Sequence, residues 1–183
     1  MKKFLILFSV LILFTSFVCA ATYPRWRAMP IRVYIPQNGE YSKLMVKAFN
    51  TWQQKTNGIV RFKYVSKRSE SDIYVAFVKR VNCNDPNAVG CAHTGYTTKG
   101  YFTQSYIEVG MRDLVYRADG TVYGTTSGVR SRNHLYGVML HEIGHTLGLE
   151  HTSNKNSIMY GTDRNEMQYI TKSDINTLIE KYR

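Results

Sequence analysis

His141, Glu142, His145, Gly148 and His151 stand at fixed intervals in the stretch His141-Glu142-Ile143-Gly144-His145-Thr146-Leu147-Gly148-Leu149-Glu150-His151, and each interval has a chemical use. On a helix, His141 and His145 are one turn apart and leave the same face, about 6 Å apart along the axis. Two imidazoles so placed grip a metal ion from one side. A catalytic zinc takes three protein ligands and keeps a fourth position for water, so a third donor has to come from outside the helix. His151 supplies it if the chain turns back. A continued helix would carry residue 151 too far along the axis, whereas glycine at 148 adopts the left-handed conformation that ends a helix and reverses the chain. Leu147 and Leu149 anchor that turn in the core. Glu142, beside the first ligand and not needed as one, is placed to take a proton from a water activated by the metal. At a usage of a few per cent for each residue type, five such fixed positions coincide on the order of once in ten million start points. Buried histidines on an ordinary amphipathic helix are therefore a poor account of the stretch.

These residues need a scaffold, and the flanking sequence supplies its elements. Ile31-Arg32-Val33-Tyr34-Ile35 alternates in polarity and stops at Pro36, the pattern of a first strand. Tyr41, Leu44, Met45, Ala48, Phe49 and Trp52 recur at the spacing of one helix face, and Asn57-Gly58 ends that helix. Residues 59–65 and 73–78 read as two further strands. A helix crossing between the first two strands implies that they run parallel. Residues 95–98 and 106–109 also read as strands. Asp119-Gly120, between Val115-Tyr116 and Val122-Tyr123, predicts a hairpin turn, and the glycines and threonines at 124–128 predict an irregular segment. Near the end, Thr171 and Asp174 are spaced as a helix-capping box, followed by a stripe of Ile175, Leu178, Ile179 and Tyr182.

The start of the chain carries a different signal. Lys2 and Lys3 precede an apolar run from Phe4 to Leu13 and small residues at Cys19-Ala20-Ala21, which reads as a signal peptide over residues 1–20, cleaved after Ala20 or Ala21. The apolar run is short for a membrane span, so no stable membrane anchor is expected. Residues 21–183 then form one domain, and the protein is expected outside the cell or in its envelope. Cys83 and Cys91 remain as a pair around a turn-rich stretch, and a disulfide between them follows from the exported setting. The whole chain has 24 basic and 13 acidic residues, a net +11. Loss of Lys2 and Lys3 lowers that excess by two. Such a charge attracts anionic surfaces or acidic proteins. No basic run interleaved with aromatics indicates a nucleic-acid partner.

His141 to His151 resembles the metzincin zinc-peptidase signature H-E-x-x-H-x-x-G-x-x-H at every fixed position. Ser157-Ile158-Met159-Tyr160 looks like the Met-turn of that group, which implies Met159 as an apolar floor beneath the three imidazoles. Trp26-Arg27-Ala28-Met29-Pro30-Ile31, Ala48-Phe49-Asn50-Thr51-Trp52 and Ser71-Asp72-Ile73-Tyr74-Val75 resemble the opening, first helix and third strand of a matrixin catalytic domain. The resemblance implies an α+β metzincin fold: a twisted, mixed, five-stranded sheet with an antiparallel edge strand, three helices and a zinc cleft. It implies a monomeric zinc endopeptidase that binds extended polypeptide along the edge strand, with residues 160–169 as the wall of a specificity pocket.

The chain departs from that pattern in three places. Matrixins carry a second, structural zinc and calcium in the middle region, but only His93 and His134 lie outside the motif here. His134 is two turns, about 10 Å, before His141. One zinc is therefore expected, and calcium is left open. Thr152 follows the third histidine where matrixins usually have serine. Residues 21–30 contain neither cysteine nor carboxylate, so self-inhibition by a zinc ligand from that stretch is not expected. Two other readings of the motif exist, a toxin-like binding module that keeps the fold and the zinc, and a zinc hydrolase of a non-peptide amide in the cell envelope. Glu142 has no purpose in a binding module.

Overall fold

The computed structural model describes residues 24–162 and 169–183. The signal peptide read at residues 1–20 and most of the pocket wall read at 160–169 lie outside the described residues. The elements are β1 (Ile31–Tyr34), α1 (Gly39–Lys55), β2 (Phe62–Tyr64), β3 (Ile73–Val78), β4 (Gly90–Tyr96), β5 (Phe102–Gly110), β6 (Leu114–Tyr116), β7 (Val122–Thr125), α2 (Arg132–Thr146) and α3 (Lys172–Tyr182).

Five strands form one sheet in the order β2-β1-β3-β5-β4. β1 runs parallel to β2 and β3, and β3 runs parallel to β5. β4 is the antiparallel edge. The topology follows from the connections. α1 carries the chain over the sheet between β1 and β2, as a parallel pair requires, whereas β4 and β5 are joined by a short turn that brings the strand straight back.

α1 buries Leu44, Met45, Ala48, Phe49 and Trp52, with Tyr41 partly covered at its start. The helix stops where Asn57 and Gly58 take φ of 50° and 74°, the left-handed region that a helix cannot continue through. Trp52 then reaches the second helix, and its indole N–H donates to the Leu140 carbonyl at 3.0 Å. α2 thus packs beside α1, which itself meets β2 through Phe49 and Phe62 with ring centroids 4.9 Å apart, and α2 buries Leu135, Val138, Met139, Leu140 and Ile143.

Three local readings differ from the structure. The strand expected over 59–65 shrinks to Phe62–Tyr64. The turn after α1 continues through the buried Val60, and β1, the partner strand, has only four residues. The strand expected at 95–98 runs instead from Gly90 to Tyr96, since the turn-rich stretch ends before Gly90 and pairing with β5 begins there. The segment 124–128 is irregular only after Thr125, because β7 pairs with β6 up to Leu114 opposite Thr125. The hairpin turn at Asp119-Gly120 is present, with φ of 82° at Gly120.

Candidate metal centre and cleft

α2 carries His141 and His145, and the chain leaves the helix at Gly148 with φ of 91°. A Cβ at 148 would overlap the Pro24 carbonyl oxygen, so glycine is required both by the conformation and by the close packing. Leu147 and Leu149 are buried on either side of it. The turn brings His151 back toward the helix. The Nε2 atoms of His141 and His145 are 3.0 Å apart, those of His145 and His151 3.1 Å, and those of His141 and His151 3.2 Å.

Backbone carbonyls fix two of these rings. His141 Nδ1 lies 2.6 Å from the Ile158 oxygen and His145 Nδ1 lies 2.8 Å from the Leu149 oxygen. A carbonyl only accepts, so each Nδ1 carries the hydrogen and each Nε2 presents a lone pair. Burial also pushes the His145 pKa down, which favours the neutral, ligating form. Three nitrogens around a tetrahedral zinc at about 2.0–2.1 Å are about 3.3–3.4 Å apart. The observed spacing and the inward lone pairs fit such an ion. Among the described residues, no second group of three or more His, Cys, Asp and Glu side chains converges in this way. His93, the other candidate weighed from sequence, stacks on Tyr106 with ring centroids 5.7 Å apart.

Glu142 is 6% exposed. Burial pushes its carboxyl up to about 8, while a backbone hydrogen bond from Ala92 acts in the other direction. β4 supplies that contact and a second one. A Cβ on Gly90 would overlap the Glu142 carboxylate and would sit 2.7 Å from Val138 Cγ1. Gly90 and Ala92 therefore position Glu142, although from sequence Gly90 was only the end of a turn. No sequence signal marked it, because the residues that follow, Cys91-Ala92-His93-Thr94, show no strand alternation.

Met159 is buried against α2 at Gly144. A Cβ on Gly144 would overlap its sulfur and lie 3.3 Å from Trp52 Cζ2, so the helix backbone rests on the methionine with no room between them. A hydrogen-bonded knot holds the turn. Met159 N–H donates to Ser157 Oγ at 2.9 Å, and Ser157 Oγ–H donates to the Asp174 carboxylate at 2.8 Å. Thr171 donates to the same carboxylate from N–H and Oγ, each at 2.8 Å, completing the capping box of α3. Gly161 lets the backbone approach His151, since a Cβ there would lie 2.9 Å from its Nδ1.

The triad opens into a cleft of about 1720 Å³, lined by β4, α2 and the loop before β4. Cys83 and Cys91 form a disulfide with Cα atoms 6.0 Å apart, which ties the loop between them to β4. Tyr160 also lines the cleft. No helix among the described residues is long and apolar enough to cross a membrane.

The matrixin family model matches residues 26–183. A protein of Spodoptera frugiperda ascovirus 1a named "Putative matrix metalloproteinase" is 27% identical over 143 residues, covering 74% of this chain and 36% of that relative. The chain thus spans about a third of the length of the viral protein it matches.

Proposed function

Because the chain belongs to the matrixin family, we propose that it is an exported zinc-dependent endopeptidase in which His141, His145 and His151 hold the metal and Glu142 is the general base. The observation that carries this reading is the convergence of three Nε2 atoms within 3.2 Å of one another, beside a buried carboxyl. Bound there, zinc supplies polarisation of the scissile carbonyl and acidification of a water molecule.

The chain's own residues do the rest. The free edge of β4 binds extended substrate by main-chain hydrogen bonds, which sets the scissile bond above the triad. Glu142 takes the proton of the attacking water at its carboxylate and returns it to the leaving amine. Its burial keeps that carboxyl away from bulk water, and the Ala92 backbone bond orients it. Met159 and the carbonyls of Ile158 and Leu149 keep the imidazoles in place. The open edge of β4 in the cleft supports an extended polypeptide over a non-peptide envelope amide.

The deciding experiment uses Glu142→Gln, which preserves shape and the metal ligands. The variant should retain about one zinc per chain by elemental analysis and lose about a hundred- to ten-thousand-fold in turnover of a peptide library. Equal cutting by both proteins would remove Glu142 from its role. A zinc-loaded parent that cuts no peptide would favour the binding module. Export is supported by the disulfide and by the apolar leader. N-terminal sequencing of secreted protein should begin at residue 21 or 22, and a chain retaining Met1 would refute it.

A further inference from the structure

The cleft does not stop at the triad. It continues along the N-terminal half of α2, past Val138 and His134, between that helix and the disulfide-closed loop at Asp85 and Asn87, to Leu114 and Tyr116 of β6. β6 and β7 form a separate two-stranded sheet that pairs with no strand of the main one. A lone hairpin is marginal in water, yet this one is anchored at its base. Arg130 N–H donates to the Met111 carbonyl at 2.8 Å. Its Nε–H donates to the Arg112 carbonyl at 3.0 Å, and its guanidinium lies 3.5 Å from the Asp113 carboxylate. The start of α2 and the start of the hairpin are thereby joined, and Leu114 and Tyr116 are held at a fixed distance from the metal centre.

Tyr116 is 51% exposed although it is a large apolar side chain in a cleft wall. Leu114 and Tyr116 alternate onto one face of β6 and both line the cleft, whereas Tyr123, the extra residue where the pairing shifts between Val115 and Tyr116, does not line it. Tyr123 already has a neighbour, with the Arg117 guanidinium 5.4 Å from its ring centroid. Resting on the peptidase reading above, we propose that Leu114 and Tyr116 form a distal subsite for an apolar or aromatic side chain of the same polypeptide that is being cut.

Geometry gives the side and the distance. A strand added antiparallel to β4 directs its C-terminal part toward Gly90, the end of β4 that lies against Val138 and Glu142. From His141 to His134 is about 10 Å along α2, the length of three extended residues. The hairpin lies beyond His134, so the residue it receives is the fourth or fifth after the scissile bond. Two rigid aromatic rings meeting in a partly desolvated cleft give the kind of contact whose truncation costs binding about tenfold.

The test compares two fluorogenic peptides with one cleavable core, one ending two residues after the cut and one extended to six with phenylalanine at the fourth and fifth. The parent should favour the extended peptide about tenfold in kcat/KM, chiefly through KM. Tyr116→Ala should bring that ratio near one, and Tyr123→Ala should keep it. A parent ratio near one, a ratio unchanged in Tyr116→Ala, or an equal loss in Tyr123→Ala overturns the subsite. So does a gain obtained only by extending the peptide before the cut. Failure of the peptidase reading is seen separately, as a parent that cuts neither peptide. In that event anisotropy titration of labelled peptides onto the Glu142→Gln protein still decides: tighter binding of the extended peptide that depends on Tyr116 supports the subsite, and equal binding overturns it.

Discussion

A single methyl group tests how closely the floor of the metal centre fits the helix above it. Gly144 and Gly137 lie in the same helix two turns apart, but their surroundings differ. A Cβ at 137 meets nothing within 4 Å, whereas one at 144 overlaps the Met159 sulfur and crowds Trp52. Gly137→Ala removes a flexible residue from a helix interior and should stabilise the protein by up to about 1 kcal/mol. Gly144→Ala overpacks a closed interior and should cost about 1–3 kcal/mol. It should also weaken zinc, because Met159 cannot yield without moving the Ile158 carbonyl that orients His141. Urea midpoints and zinc competition on the two variants check both signs. The convergence of His141, His145 and His151 was legible because metal chemistry constrains the spacing of such a group directly. Gly144 and Gly90 were not legible as parts of the centre, since a glycine admits a neighbour's approach without recording in sequence which neighbour approaches.

At the scale of elements, the Met-turn and α3 are coupled through one carboxylate. Asp174 is buried and accepts from Ser157 and twice from Thr171. The capping box predicted Thr171 and Asp174 as a local pair, and the structure contains it. Its second use, as the anchor of Ser157, joins residues 17 apart in sequence, and no local spacing reveals such a partner. Asp174→Ala leaves buried donors unsatisfied and removes the side-chain acceptor of the Thr171 N–H, half of the capping box, a cost of about 2–4 kcal/mol if the two effects add. The same variant should loosen Met159 and lower zinc affinity, whereas Thr171→Ala should cost only the cap, about 1 kcal/mol. A zinc affinity unchanged in Asp174→Ala would separate the knot from the metal centre. Periodicity found α1 through its stripe of Leu44, Met45, Ala48, Phe49 and Trp52 because a 17-residue helix repeats its face several times. β2, with three residues, is too short to show a period. β4 begins inside a stretch whose composition is that of a turn, and only its pairing with β5 makes it a strand.

For the molecule as a whole, a metal held by the three histidines would join parts of the chain that packing alone holds less firmly. His141 and His145 belong to a helix buried against α1 and the sheet, but His151 is exposed and follows the turn at Gly148. A bound ion closes that turn onto the helix, so binding to the folded state adds to folding stability by mass action. With free zinc at a hundred times its Kd, the gain is about 2.7 kcal/mol. For a chain of this size each kcal/mol shifts Tm by about 2–4 °C, so chelation should lower Tm by about 5–10 °C, and added zinc should restore it. His151→Ala should melt near the chelated parent and should not respond to zinc, because the exposed ring contributes little packing of its own. Glu142→Gln should respond to zinc as the parent does, since it ligates nothing. Calorimetry of the three proteins with and without chelator distinguishes these outcomes. A zinc response retained in His151→Ala would show that His151 is not the third ligand, and one lost in Glu142→Gln would mean that the carboxylate supports the metal itself rather than the water beside it.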